Sequence, residues 1–148
     1  MADEPIFMAI RNSDPAFQQT VRDAQASLPE FRRLLKPRKA ADWYPSIKTR
    51  VTAGEDSAYL WLSVDEVLAT GFVASVFEIP EQFEGIEVGD EIQVADSDVM
   101  DWMINRNGEL HGGFSLRYQR SKLPPKDRDD FDQHIGVSKY ADPGTASS

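Results

Sequence analysis

Cysteine is absent from this chain. Disulfides, thiol nucleophiles, iron–sulfur clusters and thiolate zinc sites are excluded together. Histidine is nearly absent, with two residues, His111 and His134. No Gly-x-Ser-x-Gly elbow is present, and no glycine-rich loop is followed by the lysine that a phosphate cradle requires. No apolar run approaches the roughly 20 residues needed to span a bilayer. Positive charge is in deficit: 16 Lys+Arg against 25 Asp+Glu give a formal net charge of −9. That balance disfavours a nucleic-acid binder working through a broad basic face. Two acids, Asp3 and Glu4, precede the short apolar stretch Ile6–Ile10. A secretory signal has a positive start and a longer apolar segment, so a cytoplasmic protein is expected.

What is present is one domain's worth of globular chain. The 148 residues are 41% hydrophobic and 28% charged, enough for one core. Asp14-Pro15 reads as a helix cap followed by proline at the first helical position. Phe17, Val21, Ala24 and Leu28 then recur at helical spacing, and Phe31, Leu34 and Leu35 form a second stripe. Residues 37–45 read as a loop, basic and then aromatic. Beyond it the period falls to two. Ile47, Thr49 and Val51 predict a strand, Ala53–Asp56 a turn, and Tyr59–Val64 a central strand apolar on nearly both faces. Further strands are expected over Phe72–Ile79 and Glu91–Val94, a short helix over Asp96–Ile104, and a last strand carrying Phe114, Leu116 and Tyr118. Helices first and strands later predict an α+β fold, with N-terminal helices packed on a curved, mainly antiparallel sheet and a small, partly open barrel as an option. The domain is placed at residues 1–123. Residues 124–148 are expected to be a tail, docked in part through Phe131, Ile135, Val137 and Tyr140, and disordered at its end.

Several residues are candidates for chemistry or recognition. Asp98 and Asp101, three apart on the expected helix, share a face on which one cation could bridge them. The plainer reading is that acids in this segment cap the helix and favour its N-terminus. His111 reads as a turn histidine beside Gly112-Gly113. Trp43 and Tyr44, next to Arg38 and Lys39, are the best candidates for an exposed recognition patch. Arg32, Arg33, Lys36, Arg38, Lys39, Lys48 and Arg50 make a locally basic segment, the sole support for nucleic-acid binding.

The order of elements from Asp14 to about Tyr118 resembles the YegJ-like bacterial domain family. The resemblance is carried by Asp14-Pro15, by the Leu28-Pro29-Glu30-Phe31 element, and by the aromatic strand Leu60–Val64. Gly89-Asp90, Asp101-Trp102-Met103 and Gly112-Gly113-Phe114 through Arg117 complete it. The chain departs from the family pattern at Ser57-Ala58-Tyr59 and over Ala74–Pro80. The family has no activity to transfer, so the resemblance implies a compact domain. Within these motifs the Trp102 indole is expected to fill the core. The Asp101 carboxylate is expected to accept from Arg117 or from backbone amides near Gly112-Gly113.

With no catalytic constellation in view, the expectation is a small soluble, non-enzymatic protein-binding module. An immunity or antidote protein masking a basic partner is one example. No cofactor and no metal is expected, no membrane association, and the oligomeric state stays open. A carboxylate-based ligand or enzyme domain using Asp98, Asp101, His111 and Arg117 is the alternative, with nucleic-acid binding as a second.

Overall fold

The computed structural model describes residues 14–35, 43–54, 56–79 and 83–141. The chain is α+β, with four helices and an open seven-stranded sheet among the described residues. Helix α1 (Pro15–Ala26) starts as its sequence dictates. Asp14 is extended, its carboxylate accepts the Ala16 N–H at 2.9 Å, and Pro15 follows. Helix α2 (Leu28–Leu35) buries Leu28, Phe31 and Leu35 at spacings of three and four. Strands β1 (Trp43–Ala53) and β2 (Asp56–Leu68) form a long hairpin, with Gly54 at φ +63° in its turn. Strands β3 (Gly71–Val76) and β4 (Glu91–Ala95) extend the sheet on one side. Strands β5 (Asp101–Arg106) and β6 (Glu109–Gly112) extend it on the other. Helices α3 (Phe114–Lys122) and α4 (Pro125–Ile135) follow, and the two-residue strand β7 (Lys139–Tyr140) pairs in parallel with β6.

The sheet order is β4-β3-β2-β1-β5-β6-β7, and every pairing except β6–β7 is antiparallel. It does not close into a barrel. The core gathers Ile47, Leu62, Phe72, Trp102 and Ile104 from the strands and Phe31 from α2, all wholly or almost wholly buried. Phe31 stacks on Trp102 with ring centroids 4.8 Å apart, and Phe114 meets the indole edge-on at 6.0 Å. The indole N–H donates to Ser27 Oγ at 2.9 Å, which satisfies its one polar atom. Burying each such ring is worth about 1.5–3 kcal/mol.

Four expectations are corrected. The segment Asp96–Ile104 is not a helix: a single 3-10 turn, Asp96–Asp98, leads into β5. The open side of β1 offers a ladder there, with Ile47 opposite Trp102 and Lys48 opposite Asp101. Trp102 and Ile104, two apart, enter the core together. The stretch Phe114–Tyr118 is a helix rather than a strand. Gly112 and Gly113 both have positive φ and end β6, and the chain then turns into α3. Residues 37–42 of the expected loop lie outside the described residues, but Trp43, Tyr44 and Pro45 belong to β1. Strand β2 buries one face only: Leu60, Leu62 and Val64 point inward, while Trp61 is half-buried and Tyr59 is 37% exposed. Past Leu123, α4 buries Phe131, and Val137 follows it into the interior. Residues 142–148 lie outside the described residues.

Candidate functional site

Asp101 is the most enclosed charged side chain among the described residues, with no exposed surface. Its carboxylate accepts the N–H groups of Trp102 (2.8 Å), Phe114 (3.1 Å) and Ser115 (2.8 Å), and the Ser115 hydroxyl at 2.5 Å. Two of those amides open α3, whose own preceding residue, Gly113, has no side chain to cap it. Asp101 therefore caps a helix thirteen residues further along the chain, where the helix dipole favours an anion. Burial raises its pKa, and the Ser115 bonds pull the other way. Lys48, its register partner on β1, has its pKa lowered by burial, opposed by the charge of Asp101. Lys48 Nζ also lies 5.6 Å from the Phe17 ring centroid.

Arg117 does not serve as the expected partner of Asp101. Its guanidinium donates to the carbonyls of Gly112 (2.7 Å) and Leu110 (3.0 Å) and lies 5.5 Å from the Tyr140 ring. The expected acceptance from nearby backbone amides does occur, at Phe114 and Ser115. His111 projects from β6, with Nε2 3.3 Å from Glu109. Asp98 is exposed in the 3-10 turn and does not share a helix face with buried Asp101. Asp101, Trp102 and Arg117 thus tie β5, β6 and α3 into one unit through fixed bonds. Among the described residues no group of three or more His, Asp or Glu side chains is placed to hold a metal ion.

The basic segment is dispersed. Arg32 donates to the Leu68 carbonyl and pairs with Asp96 at 2.7 Å, and Arg33 pairs with Glu30 on its own helix. Lys48 is half-buried and Arg50 exposed. Lys36, Arg38 and Lys39 lie outside the described residues. Of the aromatic pair in the expected patch, Tyr44 is 62% exposed at the start of β1, and the Trp43 side chain is outside the described residues.

The surface with a distinct character is the β2–β4 end of the sheet. Residues 51–105 carry thirteen acids and not one lysine or arginine, while the rest of the chain carries sixteen cations against twelve acids. The net charge of −9 therefore combines a strongly negative middle segment with a mildly positive remainder. Asp65, Glu66, Glu78, Glu84, Glu87, Asp90 and Glu91 are all exposed there. Only Asp96 in this segment forms a salt bridge among the described residues, the one with Arg32. Exposed apolar side chains occur in the same segment, Val67, Phe77 (46% exposed) and Val88 (64%), while exposed Tyr59 lies opposite Arg50 of β1. By strand alternation Tyr59, Trp61 and Ser63 point away from the core, and Ser75, opposite Ser63, donates to Asp65. Counting charge by segment rather than over the whole chain is the sequence signal that reveals this surface.

A family model described as "Uncharacterized protein conserved in bacteria (DUF2314)" matches residues 14–138, running past Leu123 and through α4. A putative ankyrin repeat protein of Neisseria meningitidis serogroup B is 28% identical over 93 residues, which are 62% of this chain and 36% of that protein. The uncharacterized protein YegJ of Escherichia coli K12 is 22% identical over 117 residues, 78% of this chain and 74% of YegJ. The chain thus spans about a third of the Neisseria protein's length and about three quarters of YegJ's. No solved structure matches. No described helix is long and apolar enough to cross a membrane.

Proposed function

The chain belongs to this bacterial family, DUF2314, and we propose that it acts as a non-enzymatic module that binds a protein partner with a basic surface. The observation that supports this reading is the segment 51–105, thirteen acids without a lysine or arginine, in which Val67, Phe77 and Val88 stand exposed. Carboxylates steer a basic partner and set its orientation, and apolar side chains at the centre of a contact supply the burial that holds it. Such a module suits a cytoplasmic protein that masks a basic toxin or nuclease. Two of the four residues of the enzymatic alternative have structural roles: Asp101 caps α3, and Arg117 holds the carbonyls of the β6 end.

The test is capture from a bacterial host extract by the full chain at about 0.1 M and about 0.5 M salt, where the Debye length falls from about 10 Å to a few ångströms. Two variants are compared with the parent, Glu78→Lys with Glu91→Lys, and Asp129→Lys with Asp130→Lys on α4. They change net charge equally at different places. A partner that is lost at high salt, and lost by the first variant alone, supports the reading. A partner indifferent to both, or equally weakened by both, removes it.

A further inference from the structure

The two edges of the sheet are built differently. At one edge β7 is two residues long, parallel to its neighbour, and carries Lys139. Shortness and a lysine are both common means of keeping an edge from pairing with another chain. At the other edge β4 is five residues, Glu-Ile-Gln-Val-Ala, paired with β3 in unbroken antiparallel register. It contains no proline, no lysine and no bulge.

The direction of its backbone groups follows from the register. The Asp96 N–H donates to the Thr70 carbonyl and the Val76 N–H to the Asp90 carbonyl, so the bonded pairs with β3 fall at Asp90, Ile92, Val94 and Asp96. Glu91, Gln93 and Ala95 consequently turn their N–H and C=O groups outward. Among the described residues no strand lies beyond them. Their side chains are exposed and lie on the outward face of the sheet, while Val94 is buried and Ile92 half-buried on the other.

We propose that β4 receives an extended, basic segment of the partner as an eighth strand, bonded to the outward backbone groups of Glu91, Gln93 and Ala95. This rests on the binding role proposed above and specifies how the partner is held. The occupant is selected by charge. Lysine or arginine at alternate positions of the added strand would fall on the face that carries Glu91, whose register partner Ser75 is two residues from Phe77. Apolar residues between them would extend the row of Ile92. A second copy of this chain is the competing occupant. Pairing β4 with β4 would bring together two strands from segments with thirteen acids and no cation, so like charges oppose it.

The probe is a nine-residue peptide alternating valine and lysine, with an alternating valine–glutamate peptide as control. Both are titrated into the full chain by calorimetry, and amide hydrogen exchange is followed by NMR. The expected result is salt-sensitive binding of the lysine peptide alone, with new protection at the Glu91, Gln93 and Ala95 amides. Gln93→Pro removes an outward N–H without touching a bond to β3, and is expected to weaken binding about tenfold. Retained protection at Ile92 and Val94 shows that the variant strand is in place. If that protection is lost, Gln93→Lys, which keeps the N–H and adds a repelling charge, carries the test with the same expected direction. The proposal is overturned by no binding at about millimolar peptide, by protection elsewhere on the chain, or by binding indifferent to the Gln93 variants. It is overturned equally by a dimer in sedimentation whose outward β4 amides are already protected. A captured partner sensitive to Glu78→Lys with Glu91→Lys, yet insensitive to Gln93→Pro, would leave the acidic surface standing and remove strand addition alone.

Discussion

Lys48 and Asp101 stand opposite each other on neighbouring strands, and the carboxylate of Asp101 reaches past the end of β6 to hold the first amides of α3. A β-sheet pair is thereby coupled to a helix cap. Each charge alone would be costly to bury. Four donors on the carboxylate make the arrangement tolerable, and Lys48 adds an opposite charge nearby.

Removing the carboxylate leaves buried amides without acceptors. Asp101→Ala is expected to cost about 3–5 kcal/mol, and Asp101→Asn, which keeps one acceptor oxygen, about 1–3 kcal/mol. Lys48→Met should cost less than Asp101→Ala, because the carboxylate keeps its donors and the burial penalty of the ammonium disappears. Urea unfolding of the three variants gives the order directly.

Gly112 has no room for a side chain. A Cβ there would lie 2.5 Å from the Trp102 carbonyl oxygen and 2.6 Å from the indole, at φ +74°. Strain and overpacking together predict a loss of about 2–4 kcal/mol for Gly112→Ala, read as a lower urea midpoint. Gly89→Ala, at φ +99° with open space around it, should cost less.

Acid should loosen the α1–α3 contact. The Asp14 carboxylate accepts from the Tyr118 hydroxyl at 2.7 Å and from the Ala16 amide, and these bonds hold its pKa below the usual carboxylate value. The unfolded chain therefore binds this proton more readily. The stabilisation is complete above the ordinary aspartate pKa and is lost as pH falls through the lowered one. Asp14→Asn should flatten that part of the acid limb in a stability profile between about pH 2 and 5. An unchanged slope would show that Asp14 contributes nothing to it.

Much of the fold was legible because its signals are local. Asp14-Pro15 with Phe17 and Ala24 announced α1, and the alternation of Ile47, Thr49 and Val51 announced β1. The segments around β5 and α3 were not. Val99, Trp102 and Met103 satisfy helical spacing as well as Trp102 and Ile104 satisfy a strand, and the ladder offered by β1 decides between them. Phe114, Leu116 and Tyr118 alternate like a strand, but two positive-φ glycines and a cap supplied by Asp101 make a helix. That cap comes from another element, so no local pattern carries it. The acidic end was present in the sequence and hidden by the whole-chain average. The open edge at β4 depends on the order of strands, which no spacing reveals.

The central claim is that a localised acidic surface, rather than net charge, binds a basic partner. The most direct measurement is the association rate of the full chain with the captured partner at about 0.1 M salt, for the two charge-matched double variants. Glu78→Lys with Glu91→Lys should slow association by about tenfold, and Asp129→Lys with Asp130→Lys by less than about twofold. Equal slowing by both pairs, or none by the first, would contradict the account.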